Sequence, residues 1–305
     1  MRLVVMGQAA FGEAVLKRLT EDGHEIAGVS APGPAAGGRP DALWAAAETA
    51  GLPLVPTAAL KKDEALAQWS AFGAELCVMA FVTEIVPMAA LTAPQLGTIQ
   101  YHPSLLPLHR GASAMNWAII NGDTETGLSI FWPDSGIDTG PILLQKRVEI
   151  TPEDTLGTLY FGKLFQMGVD AISESVALVA EGKAPREEQD QALGTYEPIC
   201  GDEHAAIPWY ASAERISALI RGCNPSPGAW TMFEGKQLKI FDCALQGRQV
   251  PGMPGAVLAV GEDGFDVRLN GDVLHVGRVQ FEGEKKAPAG EWATAVGLKA
   301  GFRFR

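Results

Sequence analysis

The sequence predicts an α/β protein: a Rossmann-like, open and mostly parallel sheet with helices on its faces, followed by a small β-barrel-like domain. Three observations carry this. Through the first half of the chain, short apolar runs alternate with stretches of helical period, the rhythm of parallel strands joined by covering helices. From Gly182 a polar, proline-bearing stretch follows in which no period is sustained. Beyond it come short alternating runs separated by glycine-containing turns, as in antiparallel β structure. With 305 residues the chain has room for two cores at roughly 150 residues each.

Taken in order, RLVVM (2–6) is an apolar run with the Val-Val pair that strands favour, and FGEAVLKRL (11–19) then has helical spacing, so the chain opens strand, turn, helix. EIAGVSA (25–31) reads as a strand and the alanine-rich PDALWAAAETAG (40–51) as a helix. ELCVMAF (75–81) is a continuous apolar strand ending at Phe81. GTIQYH (97–102) and GLSIFW (127–132) are further strands, with a helix in ASAMNWAIING (112–122) between them. Helical period then runs through 155–181. In the second half, SAERISALIRG (212–222) is helical, and KQLKIFDCAL, GAVLAV, GFDVRL and DVLHVGRVQF are strands. These readings place a first domain at 1–190, a linker at 191–204 and a β domain at 205–305.

Composition excludes several classes. A balance of 24 Lys+Arg against 36 Asp+Glu gives a net charge of −12 without a basic run, which argues against a dedicated nucleic-acid surface. No apolar stretch reaches the roughly 18–20 residues that span a bilayer, and the first residues are too short an apolar run for a secretory signal. A cytoplasmic protein without membrane contact is expected. Cys77, Cys200, Cys223 and Cys243 show no C-x-x-C spacing, and the five histidines form no H-x-x-x-H pair, so buried, reduced thiols and metal-free chemistry are expected.

Two loops stand out. After GTIQYH, alternation puts Gln100 and His102 on one strand face and Ile99 and Tyr101 on the other, with His102 at the strand end, where open α/β sheets place their ligands. The following loop holds Pro103, Pro107, Arg110 and Gly111. The second loop, WPDSGIDTGP (132–141), packs two prolines, two glycines and two aspartates into ten residues; its plain reading is an Asx-rich turn, and its functional one is that Asp138 orients a histidine. GQAAFG (7–12) follows a strand and opens a helix, yet it matches neither common phosphate fingerprint, so tight packing at Gly7 and Gly12 is the better account.

HPSLLP (102–107), HRGASAMNW (109–117) and SIFWPDSGIDTG (129–140) together resemble the 10-formyltetrahydrofolate-dependent formyltransferase family. GQAAFG, YHPSLLP, HRGAS and SIFW look most similar to the amino-terminal hydrolase domain of 10-formyltetrahydrofolate dehydrogenase. The later IPWYASAERISALIRGCNPSPGAWT (207–231) and the β-rich tail resemble the carboxy-terminal domain shared by that hydrolase and methionyl-tRNA formyltransferase. The resemblance implies His102 and Asp138 as catalytic residues, 36 positions apart, with Gln100 standing where most of the family has Asn. It implies 10-formyltetrahydrofolate as formyl donor, read by the backbone of Met79, Ala80, Phe81 and Val82 and of Ser135, Gly136, Ile137 and Asp138. The surrounding substrate pocket is expected to include Gly7, Gln8, Phe11, Ser104, Arg110 and Gly111.

The first expectation is therefore hydrolysis to tetrahydrofolate and formate, followed by transfer to an amine acceptor such as methionyl-tRNA or an amino sugar. Against tRNA stand the single Arg in residues 31–40 and Leu108, where the tRNA enzymes carry an Arg. A folate-binding protein that has lost catalysis is the reading from another class; Gln100 favours it, and His102 with Asp138 opposes it. No metal and no NAD(P) are expected, since the dinucleotide fingerprint is absent and the chain, ending at Arg305, is expected to lack the dehydrogenase's further domains.

Overall fold

Arg2–Gly7 forms β1, and the chain continues through α1 (Ala9–Glu21), β2 (Glu25–Ala31), α2 (Ala42–Thr49), β3 (Leu54–Pro56), α3 (Asp63–Ala71), β4 (Leu76–Ala80), α4 (Met88–Leu91) and β5 (Thr98–His102). Next come α5 (Ala114–Ile120), β6 (Glu125–Phe131), β7 (Ile142–Glu149), α6 (Leu156–Leu159) and α7 (Phe165–Ala180). The last part holds α8 (Ala213–Gly222), β8 (Trp230–Phe233), β9 (Lys236–Leu245), β10 (Val257–Gly261), β11 (Gly264–Arg268), β12 (Val273–Phe281), β13 (Ala287–Pro288) and α9 (Ala289–Ala295). This computed structural model describes residues 1–35 and 37–305. Ala36, within the weakly basic segment 31–40, lies outside the described residues.

The chain divides into two units, each of three stretches. The first is Met1–Ala112, Gly127–Val148 and Lys163–Tyr196; the second is Ser113–Thr126, Glu149–Gly162 and Glu197–Arg305. Helix α5, read from the sequence among the elements of the first domain, thus belongs to the second unit, and the last crossing lies between Tyr196 and Glu197, inside the stretch read as a linker.

In the first unit a seven-stranded sheet runs in the order β3-β2-β1-β4-β5-β6-β7. The pairs from β3 to β5 are parallel, whereas β6 runs antiparallel to β5 with His102 opposite Ser129. Apolar residues cover both faces. Phe11, Val15 and Leu19 of α1, Leu43 of α2 and Val169 and Ile172 of α7 pack with Ile99 and Tyr101 on one side. Trp69 of α3 and Ala90 of α4 pack with Val4, Met6, Cys77 and Met79 on the other. Gly7 is required here: a Cβ would sit 2.2 Å from the Ala80 carbonyl oxygen, so only glycine lets β1 and β4 close at their ends. The single helix expected over 155–181 is instead α6, one wide π-type turn at Tyr160–Leu164, and α7. Gly162 lies in that turn.

In the second unit a six-stranded sheet runs β10-β11-β12-β9-β8, with β13 beside β12. Its outer edges are bonded rather than left open. Val257 N–H donates to Phe302 at one end, and Ile207 N–H to Trp230 at the other. Helix α8 starts at the Ser212 cap and buries Ile216, Leu219 and Ile220. It also packs against α5. Asn116 Nδ2 donates 2.9 Å to the Gly222 carbonyl, and a Cβ on Gly222 would lie 2.6 Å from Ile120. Cys77, Cys200 and Cys223 are buried and all four cysteines are free thiols; burial pushes the Cys77 thiol up to about 12, which makes it a packing residue. Among the described residues no helix is long and apolar enough to cross a membrane.

Candidate active site

Strand β5 ends at His102, whose side chain is 6% exposed and held from two sides. Its Nε2 donates to the His109 carbonyl oxygen at 2.8 Å. Its Nδ1 faces Asp138 Oδ2 at 3.5 Å, a gap longer than a direct hydrogen bond. The same Oδ2 accepts the Gly111 N–H at 2.8 Å, which ties the 103–111 loop to the Asp138 loop. Both partners of His102 are presented by left-handed backbone, with φ of +54° at His109 and +55° at Asp138.

The strand order turns between β1 and β4, the switch point at which open α/β sheets form their ligand crevice. Gly7 and Gln8 leave β1 there beside the end of β4. Gln8 N–H donates to the Ala80 carbonyl at 3.3 Å and its side-chain amide reaches Thr83 Oγ1 at 3.3 Å. Phe81 has φ near +59° and a ring left 40% exposed, while Val82 packs back on the core. One strand further, half-buried Gln100 pairs with Met79 on β4 and Phe131 on β6, sharing a strand face with His102.

The remaining expected residues divide. Ser104 is fully buried and donates to the Leu108 carbonyl, and Ser129 donates to Ser104 in turn, so both stitch the loop. Phe11 lies in the core with its ring 4.5 Å from Tyr101 and 1% of its surface exposed, leaving little to touch a ligand. Ser135, Gly136 and Ile137 are exposed, and Asp134 Oδ1 accepts the Gly136 N–H and the Thr139 hydroxyl, which is the Asx turn of the plain reading. Gly140 closes the loop, since a Cβ there would meet the Trp132 carbonyl at 1.8 Å. Arg110 Nη2 donates to Gln189 Oε1 at 2.8 Å.

Sequence reasoning missed Gln189 and Thr195. Both lie in a stretch without period, and no motif marks them. Thr195 Oγ1 accepts the His109 N–H at 2.7 Å, and Gln189 Nε2 donates to Asp138 O at 2.9 Å and Gly140 O at 2.7 Å. Among the described residues, no group of three or more His, Cys, Asp or Glu is placed to hold a metal ion.

The fold and this edge define an open α/β enzyme with an imidazole and a carboxylate facing each other beyond the strand ends. Residues 1–173 match the formyl transferase family and residues 201–297 the formyl transferase C-terminal domain, so the chain belongs to the formyl transferase family of enzymes. It is 41% identical over 307 residues to cytosolic 10-formyltetrahydrofolate dehydrogenase of Mus musculus, covering 96% of this chain but 34% of that one. The chain thus spans about a third of the dehydrogenases it matches. Methionyl-tRNA formyltransferase of Geotalea uraniireducens (strain Rf4) is 32% identical over 306 residues, with 99% of this chain and 97% of that one covered. Among solved structures, HypX from Aquifex aeolicus in complex with tetrahydrofolic acid shares the fold, with a TM-score of 0.70 at 16% identity over 96% of this chain and 47% of that one.

Proposed function

We propose that this enzyme removes the formyl group of 10-formyltetrahydrofolate, with water as its first acceptor. The observation that carries the reading is the His102–Asp138 pair, buried at the end of β5 and 3.5 Å apart beside the switch-point crevice. Water adds to the formamide carbon, the carbonyl oxygen takes the electron pair, and the water proton passes to the pair. Because Nε2 is committed to His109 O, Nδ1 is the ring nitrogen left to exchange that proton, and Asp138 faces it. Gln100 adds an amide donor on the same strand face for the developing oxyanion. Collapse of the intermediate returns the proton to N10, releasing tetrahydrofolate and formate. The exposed Phe81 and Ile137 flank this edge as apolar surfaces suited to a pterin, with backbone groups at Met79, Ala80, Phe81 and Val82 and at Ser135, Gly136, Ile137 and Asp138 to read its polar rim.

Water ranks first because the chain is 41% identical to a 10-formyltetrahydrofolate dehydrogenase over 96% of its length, and because Leu108 and the single Arg of residues 31–40 offer little to an RNA phosphate. An amine acceptor is the second reading, supported by the near end-to-end match to a methionyl-tRNA formyltransferase. Purified protein given 10-formyltetrahydrofolate, with and without methionyl-tRNA or an amino sugar, separates them: release of formate without acceptor supports hydrolysis, and formylated acceptor with no formate supports transfer.

A further inference from the structure

The polar stretch after Gly182, in which the sequence shows no sustained period, behaves in the first unit as a strap. Glu187 exchanges both backbone bonds with Ile142, at 2.8 and 2.9 Å. Trp132 Nε1 donates to Pro185 O, and the Arg186 guanidinium lies over the Trp132 ring at 3.7 Å. Further on, Arg110 N–H donates to Thr195 O and Thr195 N–H to Pro107 O. The strap therefore touches both loops that carry the partners of His102.

Gln189 is where these contacts converge. It is 7% exposed, and each polar position of its amide is matched: one N–H to Asp138 O, the other to Gly140 O, and the carbonyl to Arg110 Nη2. Gly194 makes room on the other side of that guanidinium, since a Cβ there would sit 2.6 Å from Arg110 Nη1. Asp138 is in left-handed backbone, a region open to aspartate at modest cost, and its surroundings fix it there. Two of those surroundings are donors from one side chain, on a residue 51 positions away.

We infer that Gln189 is a positioning residue: by clamping the backbone on either side of Thr139 and fixing Arg110, it sets where the Asp138 carboxylate stands relative to His102. The inference rests on the reading of His102 and Asp138 as the working pair. Gln189 touches no reacting atom. Its chemistry is specific, because only a side chain with two N–H groups and one carbonyl at this length satisfies two carbonyls and a guanidinium together.

Gln189→Glu separates the two halves of the clamp. A carboxylate keeps and strengthens the Arg110 contact but opposes the Asp138 and Gly140 carbonyls with lone pairs. With two neutral hydrogen bonds lost, kcat falls about tenfold or more while KM stays within about twofold. In an Asp138→Asn background the same change lowers kcat by less than about twofold, since a group acting only through Asp138 has nothing left to position. Independently of turnover, the Gly111 amide, which donates to Asp138 Oδ2, exchanges its hydrogen about tenfold faster in Gln189→Glu. Should the glutamate variant not fold, Gln189→Met, close in volume and without polar atoms, is read in the same way. Wild-type kcat, a full loss that adds in both backgrounds, or unchanged Gly111 exchange overturns the inference. Wild-type turnover in Asp138→Asn alone instead overturns the reading of the pair, and in that case Gly111 exchange still decides whether Gln189 holds the loop.

Discussion

In the second unit, Phe233 lies 5.1 Å from Trp292 and 5.2 Å from Phe302, and Phe304 stacks on Trp209 at 5.6 Å. At the carboxyl edge of the first unit's sheet, by contrast, the side chains of His102, Ser104, Ser129, Asp138, Gln189 and Thr195 each make hydrogen bonds, most of them to the backbone of the two loops. Ring packing is large in free energy and tolerant in direction; hydrogen bonding is small in net free energy and fixes atoms to within tenths of an ångström. One region is therefore built to hold, and the other to aim. Substitutions in the first kind of region appear in stability, and in the second kind in rate.

Phe233→Ala puts the largest strain on that comparison. Removing a ring that is 3% exposed costs about 3–5 kcal/mol, read as a shift in the denaturant midpoint, while the molecules that stay folded keep the wild-type kcat. A rate loss as deep as that of a site mutant would erase the distinction. His102→Ala is its mirror image. Turnover drops about 100-fold or more, worth about 2.7 kcal/mol of transition-state stabilisation, and stability falls by only about 1 kcal/mol for the hydrogen bond to His109 O. Wild-type turnover in that variant would refute the site.

Gln100→Leu sharpens the aiming half. If its amide serves the oxyanion, kcat falls about tenfold with KM little changed; equal rates in the wild type, Gln100→Leu and Gln100→Asn would make it an ordinary strand residue. The smallest effect concerns Asp22. Burial works against its charge, yet hydrogen bonds from Ser173 and Arg18 and the charge on Arg18 outweigh that and hold its carboxyl below the ordinary value. A carboxyl with a lowered folded value stabilises the fold above the unfolded value of 3.8 and loses that contribution as pH falls further. Asp22→Asn should remove a few tenths of a kcal/mol of acid-dependent stability, since solvent screens the pair. Identical acid titrations of the two proteins would contradict it.

Period and apolar runs made most elements legible: RLVVM, EIAGVSA and GTIQYH alternate with helical stretches, and KQLKIFDCAL and DVLHVGRVQF read as strands. Helix α3 escaped because Trp69 is its one fully buried residue, too little to imprint a period. The π-type turn at Tyr160–Leu164 escaped because one wider turn leaves the apolar pattern almost intact. Strand alternation placed Gln100 beside His102, but the pairing of His102 with Asp138 came from family resemblance, since no local pattern links residues on separate loops. Gln189 and Thr195 were illegible for a further reason. Their partners lie 49 to 86 positions away and are mostly backbone carbonyls or amides, which every residue type supplies.

Three stretches of one unit alternate along the chain with three of the other, so the polypeptide crosses between them five times. Neither unit is a continuous piece of the gene. A boundary drawn after Tyr196 would strand α5 from α8 and part Trp117 and Ile120 from the apolar core they pack against. A single cut in the chain, wherever it falls, therefore leaves at least one of the two units incomplete.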